Sequence, residues 1–439
     1  MRGKALFKAG LLALALALSA APVTRAQVAG LYYQEVEKDG RVYVFNTPER
    51  FHSWEQSNDM GTAVTLVGRG PNGETIVAEN ETAMDLYLFK HNLPAYERPT
   101  PKPKSGGSDF PLFKLGIRVY ADGTSKENKD ELTGIKSSDS GTGVDVKRTY
   151  VSVTGQFDKV WSANFTSDIG DQGAKRYDVF VKKAYIEAKA NPLATFRLGS
   201  ADLPWVPYVE NIYGLRYIEN VVVDALSFGT SADWGFHILG SGPIVQYQVS
   251  AINGRGYSNP TRSKSVDFEG RLSITPIKGL DMAIGGYSGK RGQDTDAVPA
   301  KHTADRNDAL LAYHTDFFKL GGEWFEAKNW NNVTTIPTDK SDGYSIWGQL
   351  NFNPTWAVFG RYDESKPSKD IKPNLKYSYY NAGVQWTVNK AFAASLVYKY
   401  GDALGGTVGT SNGTIGSVNP NFKGKYSEIG IWTVFNLFQ

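Results

Sequence analysis

Side chains that commonly perform covalent or metal chemistry are sparse in this sequence. With 0 Cys in 439 residues, the chain has no disulfide framework, no thiolate metal site, no covalent haem attachment and no lipoprotein cysteine. Of its 5 His, only His237 and His314 fall on candidate strands, and neither belongs to a recognisable hydrolase or protease motif. We therefore predict that the chain is not an enzyme and that it holds no metal and no cofactor.

A GxGxxG pattern at residues 68–73 could suggest nucleotide binding. A phosphate-binding loop of this kind needs a helix directly after it, so that backbone N–H groups at the helix N-terminus meet the phosphate. Here a β-type segment, residues 74–77, follows the glycines. The interpretation we favour is a turn made by Pro71, Asn72 and Gly73 between two strands.

Charged residues recur at alternate positions beside apolar ones from residue 110 to the end of the chain. Because every second side chain of a strand lies on the same face, this spacing gathers charges of both signs on one polar face. The bases are Lys114, Arg118, Lys183, Arg197, Arg271, Lys319 and Arg361, and the acids are Asp168, Glu187, Asp281, Glu323 and Asp363. Opposed signs across a water-filled space would create a transverse field that passes small polar solutes without strong ion preference. At any single position, an ion pair between neighbouring strands is the alternative.

A long aromatic-rich segment, residues 201–227, carries a second group of charges. Its acids are Asp202, Glu210, Glu219 and Asp224, and its base is Arg216. If this segment narrows a pore, the count predicts an acidic constriction. The alternative is an ordinary external loop, since long loops are often functional but need not be.

The elements that position these charges are predicted to be amphipathic strands. Residues 113–120 alternate apolar and polar side chains, and residues 161–166, 245–251 and 346–352 repeat the pattern. Candidate strands are joined in pairs by short turns, and longer polar or glycine-rich loops lie between the pairs. The turns are 158–159, 191–192, 242–243, 277–279, 316–317, 353–354 and 389–390. About sixteen strands result, starting near 110, 145, 159, 176, 193, 230, 243, 263, 279, 304, 318, 341, 355, 374, 391 and 423.

Residues 110–439 are therefore predicted to form an all-β, transmembrane antiparallel β-barrel. No later stretch approaches the roughly 20 apolar residues of a transmembrane helix, and a closed barrel is the other structure that satisfies its backbone within a bilayer. The 24 Tyr and 10 Trp suit aromatic girdles at the rims. The last strand, 427–439, carries Phe438 one residue before its end, close to the terminal aromatic read by the outer-membrane insertion machinery.

The N-terminal part of the chain has a different organisation. Residues 1–26 combine basic residues, a short apolar run and small residues, as in a secretory signal peptide. Residues 27–92 predict a small α+β domain in the periplasm, with a Lys38-Asp39-Gly40 hairpin turn and helices beginning after Thr47 and Asn80. Residues 93–109 form a Pro/Lys/Gly linker. The sequence leaves open whether the domain docks a partner or peptidoglycan, plugs a pore, or assists subunit contacts.

Part of the barrel sequence resembles the phosphate-selective porin O and P family. The likeness is diffuse over residues 110–439 and is carried by Ala-Tyr-Ile-Glu at 184–187, Phe-Arg-Leu-Gly at 196–199, Leu-Pro-Trp at 203–205, Tyr-Ile-Glu-Asn at 217–220, Phe-Gly-Thr at 228–230, the stretch 247–256 and Glu-Gly-Arg-Leu at 269–272. The resemblance implies a sixteen-stranded barrel, usually a homotrimer, whose third external loop folds inward; by position this is 201–227. It does not transfer the phosphate, because the acidic count of that segment opposes anion capture.

These observations together predict a porin in the bacterial outer membrane, surrounded by lipid, for passive diffusion of ions and small hydrophilic solutes. The near balance of 48 Lys+Arg and 45 Asp+Glu argues against a nucleic-acid partner. The alternative is a barrel that sheathes or docks a periplasmic or extracellular partner, such as an electron-transfer cytochrome.

Overall fold

The computed structural model describes residues 32–95, 110–171 and 177–437, which fall into two compact units. The predicted signal peptide (1–26) and most of the predicted linker lie outside the described residues. Within those residues, no helix is both long and apolar enough to cross a membrane.

The first unit is a small sheet with two helices. Its strands are β1 (Gln34–Lys38), β2 (Arg41–Phe45), β3 (Val64–Leu66) and β4 (Thr75–Ala78), in the order β1-β2-β4-β3. Helices α1 (Pro48–Ser57) and α2 (Glu81–Lys90) complete it, and the Asn80 side chain caps α2 by accepting from the Ala83 N–H at 2.9 Å. The turn residues Asp39 and Gly40 both adopt positive φ, as a tight hairpin turn requires. The glycine-rich stretch 68–73 lies between the paired strands β3 and β4.

The second unit is a closed antiparallel barrel of sixteen strands, which confirms the predicted fold class. Its strands are β5 (Leu112–Asp130), β6 (Gly141–Gln156), β7 (Trp161–Asp171), β8 (Tyr177–Asn191), β9 (Ala194–Asp202), β10 (Ala232–Ser241), β11 (Val245–Ile252), β12 (Asp267–Ile274), β13 (Leu280–Gly289), β14 (Ala304–His314), β15 (Phe318–Lys328), β16 (Lys340–Asn351), β17 (Trp356–Lys366), β18 (Lys376–Thr387), β19 (Phe392–Leu404) and β22 (Gly424–Leu437). The last strand closes on the first, pairing Leu437 with Ile117 and Gly424 with Asp130. Phe438 and Gln439 lie outside the described residues.

The two ends of the barrel differ in how their strands are connected. Every predicted short turn lies between two consecutive strands of the barrel, and all of them lie at the same end. The opposite end carries the longer connections, among them a hairpin of β20 (Thr407–Thr410) and β21 (Gly413–Gly416). This asymmetry is typical of outer-membrane barrels, whose long loops face the cell exterior.

The outer face of the barrel is apolar and carries aromatic side chains near both ends. Trp161 and Trp356 are 50% and 46% exposed, and Trp356 stacks on Trp386 with ring centroids 6.0 Å apart. Toward the long loops, the ring centroids of Tyr344 and Tyr362 lie 6.2 Å apart on the same outer face. Aromatic rings at two levels are the girdle arrangement that anchors a barrel at both membrane interfaces.

Candidate functional site: a passage beside the inward loop

The connection between β9 and β10, residues 203–231, folds into the barrel interior; we refer to it as the inward loop. It contains two helices, α3 (Val206–Tyr213) and α4 (Val222–Ala225). Trp205, Val206 and Val209 are fully buried within a cluster that includes Phe325, Trp347 and other side chains of the barrel wall. Burial of so much apolar surface fixes the loop against one side of the wall.

Charged side chains of the wall hold the loop by its backbone. Lys399 donates to the Ile218 carbonyl at 2.8 Å, and Lys147 donates to the same carbonyl at 3.1 Å. Arg361 donates to the Asn220 carbonyl at 2.6 Å while it pairs with Asp363. On the acceptor side, Glu323 receives the Val222 N–H at 3.0 Å and the Trp205 indole N–H at 3.3 Å. The loop's carbonyl and N–H groups thus find partners away from water, as buried backbone must.

Glu219 is the most densely bonded carboxylate of the loop. It is 1% exposed and accepts hydrogen bonds from Lys399 at 3.1 Å, Tyr379 at 3.1 Å, Ser411 at 2.6 Å and Asn412 at 2.9 Å. Burial by itself raises the pKa of Glu219, but the nearby cations Lys399, Lys147 and Arg361 outweigh it and hold that pKa well below its usual range. Because Ser411 and Asn412 lie in the β20–β21 turn, this carboxylate also fastens that external hairpin to the inward loop.

An open cavity of about 600 Å³ lies on the other side of the loop, against β5–β8; we call it the passage. Its charged lining residues are Arg118, Lys182, Lys183, Asp202, Glu210 and Arg216. Both carboxylates are neutralised, because Asp202 pairs with Lys183 at 2.5 Å and Glu210 pairs with Arg216. The lining therefore carries four basic residues against two acidic ones, and the acids are already engaged.

The two remaining cations have polar or aromatic partners only. Arg118 donates to the Asn436 side-chain carbonyl at 2.6 Å. Lys182 lies 4.7 Å from the ring centroid of Tyr150 and 5.3 Å from that of Tyr257, distances at which a ring face attracts a cation. Neither forms an ion pair within the part of the chain that the structure describes.

This arrangement corrects the predicted acidic constriction. Counting the loop residues alone gave four acids and one base, but Glu219 is sealed on the anchored side, and Asp224 pairs with Arg216 at 4.0 Å and does not line the passage. The wall strands supply the cations that face the remaining acids. The passage is consequently basic in its unpaired charge.

Most of the other sequence-predicted charges contact the wall or the loop and do not line the passage. Arg197 pairs with Glu187 at 2.7 Å, which is the structural alternative that the strand pattern left open. Arg271 donates to the Pro204 carbonyl at 2.9 Å and lies 3.8 Å from the Tyr208 ring centroid. Arg361, as described, holds the loop. Lys114 lies opposite Thr154 on β6 and does not line the passage.

Two important lysines were missed because they occupy β-bulges. Between β7 and β8 the register shifts at Thr166, so that Lys182 has no cross-strand partner and both Lys182 and Lys183 line the passage. Between β5 and β6 a similar shift leaves Lys147 unpaired in the ladder, and its ammonium reaches the inward loop. Strict alternation points one of two adjacent side chains outward, and a bulge breaks that rule.

Among the described residues, no group of three or more His, Asp or Glu side chains could hold a metal ion. His237 is fully buried and shares a hydrogen bond of 2.8 Å with Ser250. Since Ser250 is itself fully buried, its hydroxyl does not meet the passage.

No protein-family model matches the chain, and no curated protein matches it. Solved structures do share its fold. An anion-selective porin from Comamonas acidovorans is 13% identical with a TM-score of 0.54, over 74% of this chain and 100% of the other. In-vitro folded OmpT, an outer membrane protein of Vibrio cholerae, is 12% identical with a TM-score of 0.53, over 76% of this chain and 99% of the other. The outer membrane channel DcaP of Acinetobacter baumannii is 12% identical with a TM-score of 0.50, over 76% and 99%. The chain thus has the barrel fold of bacterial outer-membrane porins.

Proposed function

We propose that this protein is an outer-membrane channel for small polar solutes and that its passage favours anions. The observation that carries the proposal is the basic lining of the passage, where Arg118 and Lys182 have no acidic partner and Asp202 and Glu210 are neutralised. One of the similar structures is named an anion-selective porin, which agrees with the proposed preference.

The physical reason is the cost of dehydrating an ion in a narrow space. An anion that loses water beside the inward loop recovers interaction energy from guanidinium and ammonium donors. A cation in the same place meets the like charges of Arg118 and Lys182. At about 4 Å in water each such charge attracts an anion or repels a cation by about 1 kcal/mol, which is up to about fivefold in the permeability of either ion.

Membrane placement rests on the outer face of the barrel. Its apolar band and two levels of aromatic rings fit an outer-membrane bilayer, with the long loops outside.

We further propose that residues 32–95 lie in the periplasm, because the barrel begins at its short-turn end. We also propose that the protein assembles as a homotrimer, as the family resemblance implies. A trimeric form exists among the solved structures of similar fold.

The sheath or docking alternative receives less support. The inward loop fills much of the barrel interior with buried side chains, and the passage beside it is about 600 Å³. That volume suits a small molecule and is far too small for a folded electron carrier.

The test is ion conductance of the refolded protein in a planar lipid bilayer. We expect stepwise currents and, in a KCl gradient, a reversal potential on the anion side. In Arg118→Gln and Lys182→Gln variants the reversal potential should move toward the cation side, whereas Lys376→Gln, an exposed lysine outside the passage, should leave it unchanged. Absence of steps across several preparations would refute the channel. A reversal potential that neither passage variant changes would refute the anion preference.

A further inference from the structure

A second cavity, of about 350 Å³, lies at the long-loop end of the barrel; we call it the loop-end pocket. It is lined by the connections after β11, β13 and β15 and by the base of the inward loop. Leu203, Gly229 and Thr230 of the inward loop line it, whereas the neighbouring Asp202 and Ser231 line the passage. The two cavities therefore flank the base of the same loop.

The acidic residues of the loop-end pocket are already satisfied. Asp233 accepts backbone N–H groups of Trp234 at 2.7 Å, Gly254 at 2.9 Å and Gly256 at 3.1 Å. Glu269 pairs with the fully buried Arg306 at 3.2 Å, and Arg306 also pairs with Asp308 at 2.9 Å. Glu269 thus has a cationic partner, and the oxygens of Asp233 are engaged by three backbone N–H groups.

Two arginines of the pocket have no acidic partner among the described residues. Arg255 is exposed and has neither an ion pair nor a hydrogen bond there. Arg291 is half-buried, donates to the Trp330 carbonyl at 2.5 Å and lies 4.5 Å from the Trp330 ring centroid. Burial, together with the like charges of Arg255 and Arg306, lowers the pKa of Arg291 to about 10. An anion beside these two guanidinium groups would relieve that repulsion.

The backbone brings the two arginines together. A side chain at Gly292 would lie 2.5 Å from the Arg255 side chain and 2.7 Å from the Asn253 carbonyl, so only glycine allows the two loops to approach this closely. Arg291 itself adopts a positive φ of 53°, which is uncommon for a residue other than glycine. Such strained positions concentrate at ligand sites.

The rest of the lining mixes polar groups, such as Thr230 and Asn259, with apolar and aromatic side chains. Leu203 of the inward loop and Ile252 at the end of β11 are buried at 2% exposure each and line the pocket with Tyr287 and Trp330. A volume of about 350 Å³ is that of a small-molecule site. Inorganic anions would leave the apolar part of such a pocket unfilled.

We propose that the loop-end pocket binds small organic carboxylates, with the carboxylate at Arg255 and Arg291 and the hydrocarbon part toward Leu203 and Ile252. Because the long loops face outward if the protein is an outer-membrane channel, the pocket would capture such a solute on the external side, before the passage. This placement rests on the proposed function; the binding itself does not.

Calorimetric titration of the refolded full-length protein in detergent with benzoate tests the proposal. We expect saturable binding, weakened about tenfold or more in Arg291→Gln and in Arg255→Gln, as loss of a charge-assisted hydrogen bond implies. Arg262→Gln, an exposed arginine of the same loop outside the pocket, should change the affinity less than about twofold, on the scale of a surface charge. Arg255 contacts no other described side chain through a polar group, so its variant tests the site even if Arg291→Gln fails to fold.

Three results would overturn the proposal. Benzyl alcohol binding as well as benzoate would remove the role of the charge, and inorganic phosphate binding as well as benzoate would remove the organic part. Affinity unchanged in both Arg255→Gln and Arg291→Gln would place any binding elsewhere. Failure of the channel is distinguishable, since benzoate binding should persist in Arg118→Gln and Lys182→Gln variants and does not depend on whether the bilayer shows conductance steps.

Discussion

The two sides of the inward loop use the same residue types for different purposes. On the anchored side, Lys399 and Arg361 are buried and donate hydrogen bonds to loop carbonyls and to carboxylates. On the passage side, Arg118 and Lys182 face an open cavity without an acidic partner. A charge facing the barrel interior therefore becomes structural where the loop covers it and remains available to a solute where the loop leaves space.

The largest effect is expected from breaking the anchored side. Lys399→Met would leave Glu219 buried without its closest cation, and removing one partner of a buried pair costs about 3–5 kcal/mol. We expect a lower unfolding midpoint and noisier, larger single-channel currents as the loop loosens. Lys423→Met is the matched control, because that lysine is 42% exposed and its pair with Asp402 is a surface one, worth about 0–1 kcal/mol. Equal stability of both variants would remove the distinction between the two sides.

Carboxylate substitutions separate the two sides by ion selectivity. Glu210→Gln removes the closer carboxylate beside Arg216 and leaves Asp224 at 4.0 Å. Because Glu210 lines the passage, the reversal potential should move further toward anions, by up to about fivefold in the permeability of either ion. Glu219→Gln, on the anchored side, should leave the selectivity of an intact channel unchanged while lowering its stability. If the two variants shift the reversal potential alike, Glu219 also faces the conducting path.

The pH dependence of stability should isolate the same carboxylate. The pKa of Glu219 is lowered in the folded protein, so its stabilising contribution is complete above its ordinary pKa of about 4.3 and declines as the pH falls toward the lowered value. Urea unfolding of the wild type and Glu219→Gln should differ by a constant free energy between neutral pH and about pH 6, and the difference should narrow below about pH 4. A difference independent of pH would mean that the ionised carboxylate is not what holds the loop.

The smallest effect concerns the outer face, which belongs to neither side of the loop. Trp161 and Trp356 should be quenched by lipid-borne quenchers, since both are about half exposed on the apolar face. Trp161→Phe and Trp356→Phe should each reduce the quenchable fluorescence, while Trp432→Phe should not, because Trp432 is 1% exposed and lies inside. Quenching of Trp161 and Trp356 by aqueous agents alone would reverse the assignment of inside and outside.

Much of the barrel could be predicted because strand periodicity and turn chemistry are local. Each predicted short turn joins two strands of the barrel, and all sixteen predicted strand starts lie within four residues of the observed start. The strand start near 145 lies at Gly141 in the structure, because the glycines at 141 and 143 carry no side chain from which alternation can be read.

The candidate site was predicted only in part. Arg118, Lys183, Asp202, Glu210 and Arg216 do line the passage, since alternation and the length of the loop placed them near the lumen. Lys182 and Lys147 were missed because bulges are not visible in a period-two pattern. The predicted acidic charge of the constriction was wrong, because the charge of the lining depends on which barrel strands face the inward loop.

By itself, the sequence determined that residues 110–439 would form a barrel of about sixteen strands with a polar interior. The reason is that successive side chains of a strand point to opposite faces, so the order of apolar and polar residues shows which face is which. Only the tertiary structure decided which interior charges pair, which hold the loop and which stay free. That outcome depends on contacts between residues far apart in the chain, such as Glu219 with Lys399 and Asn412. No local pattern encodes those contacts, because they exist only once the loop has folded across the barrel.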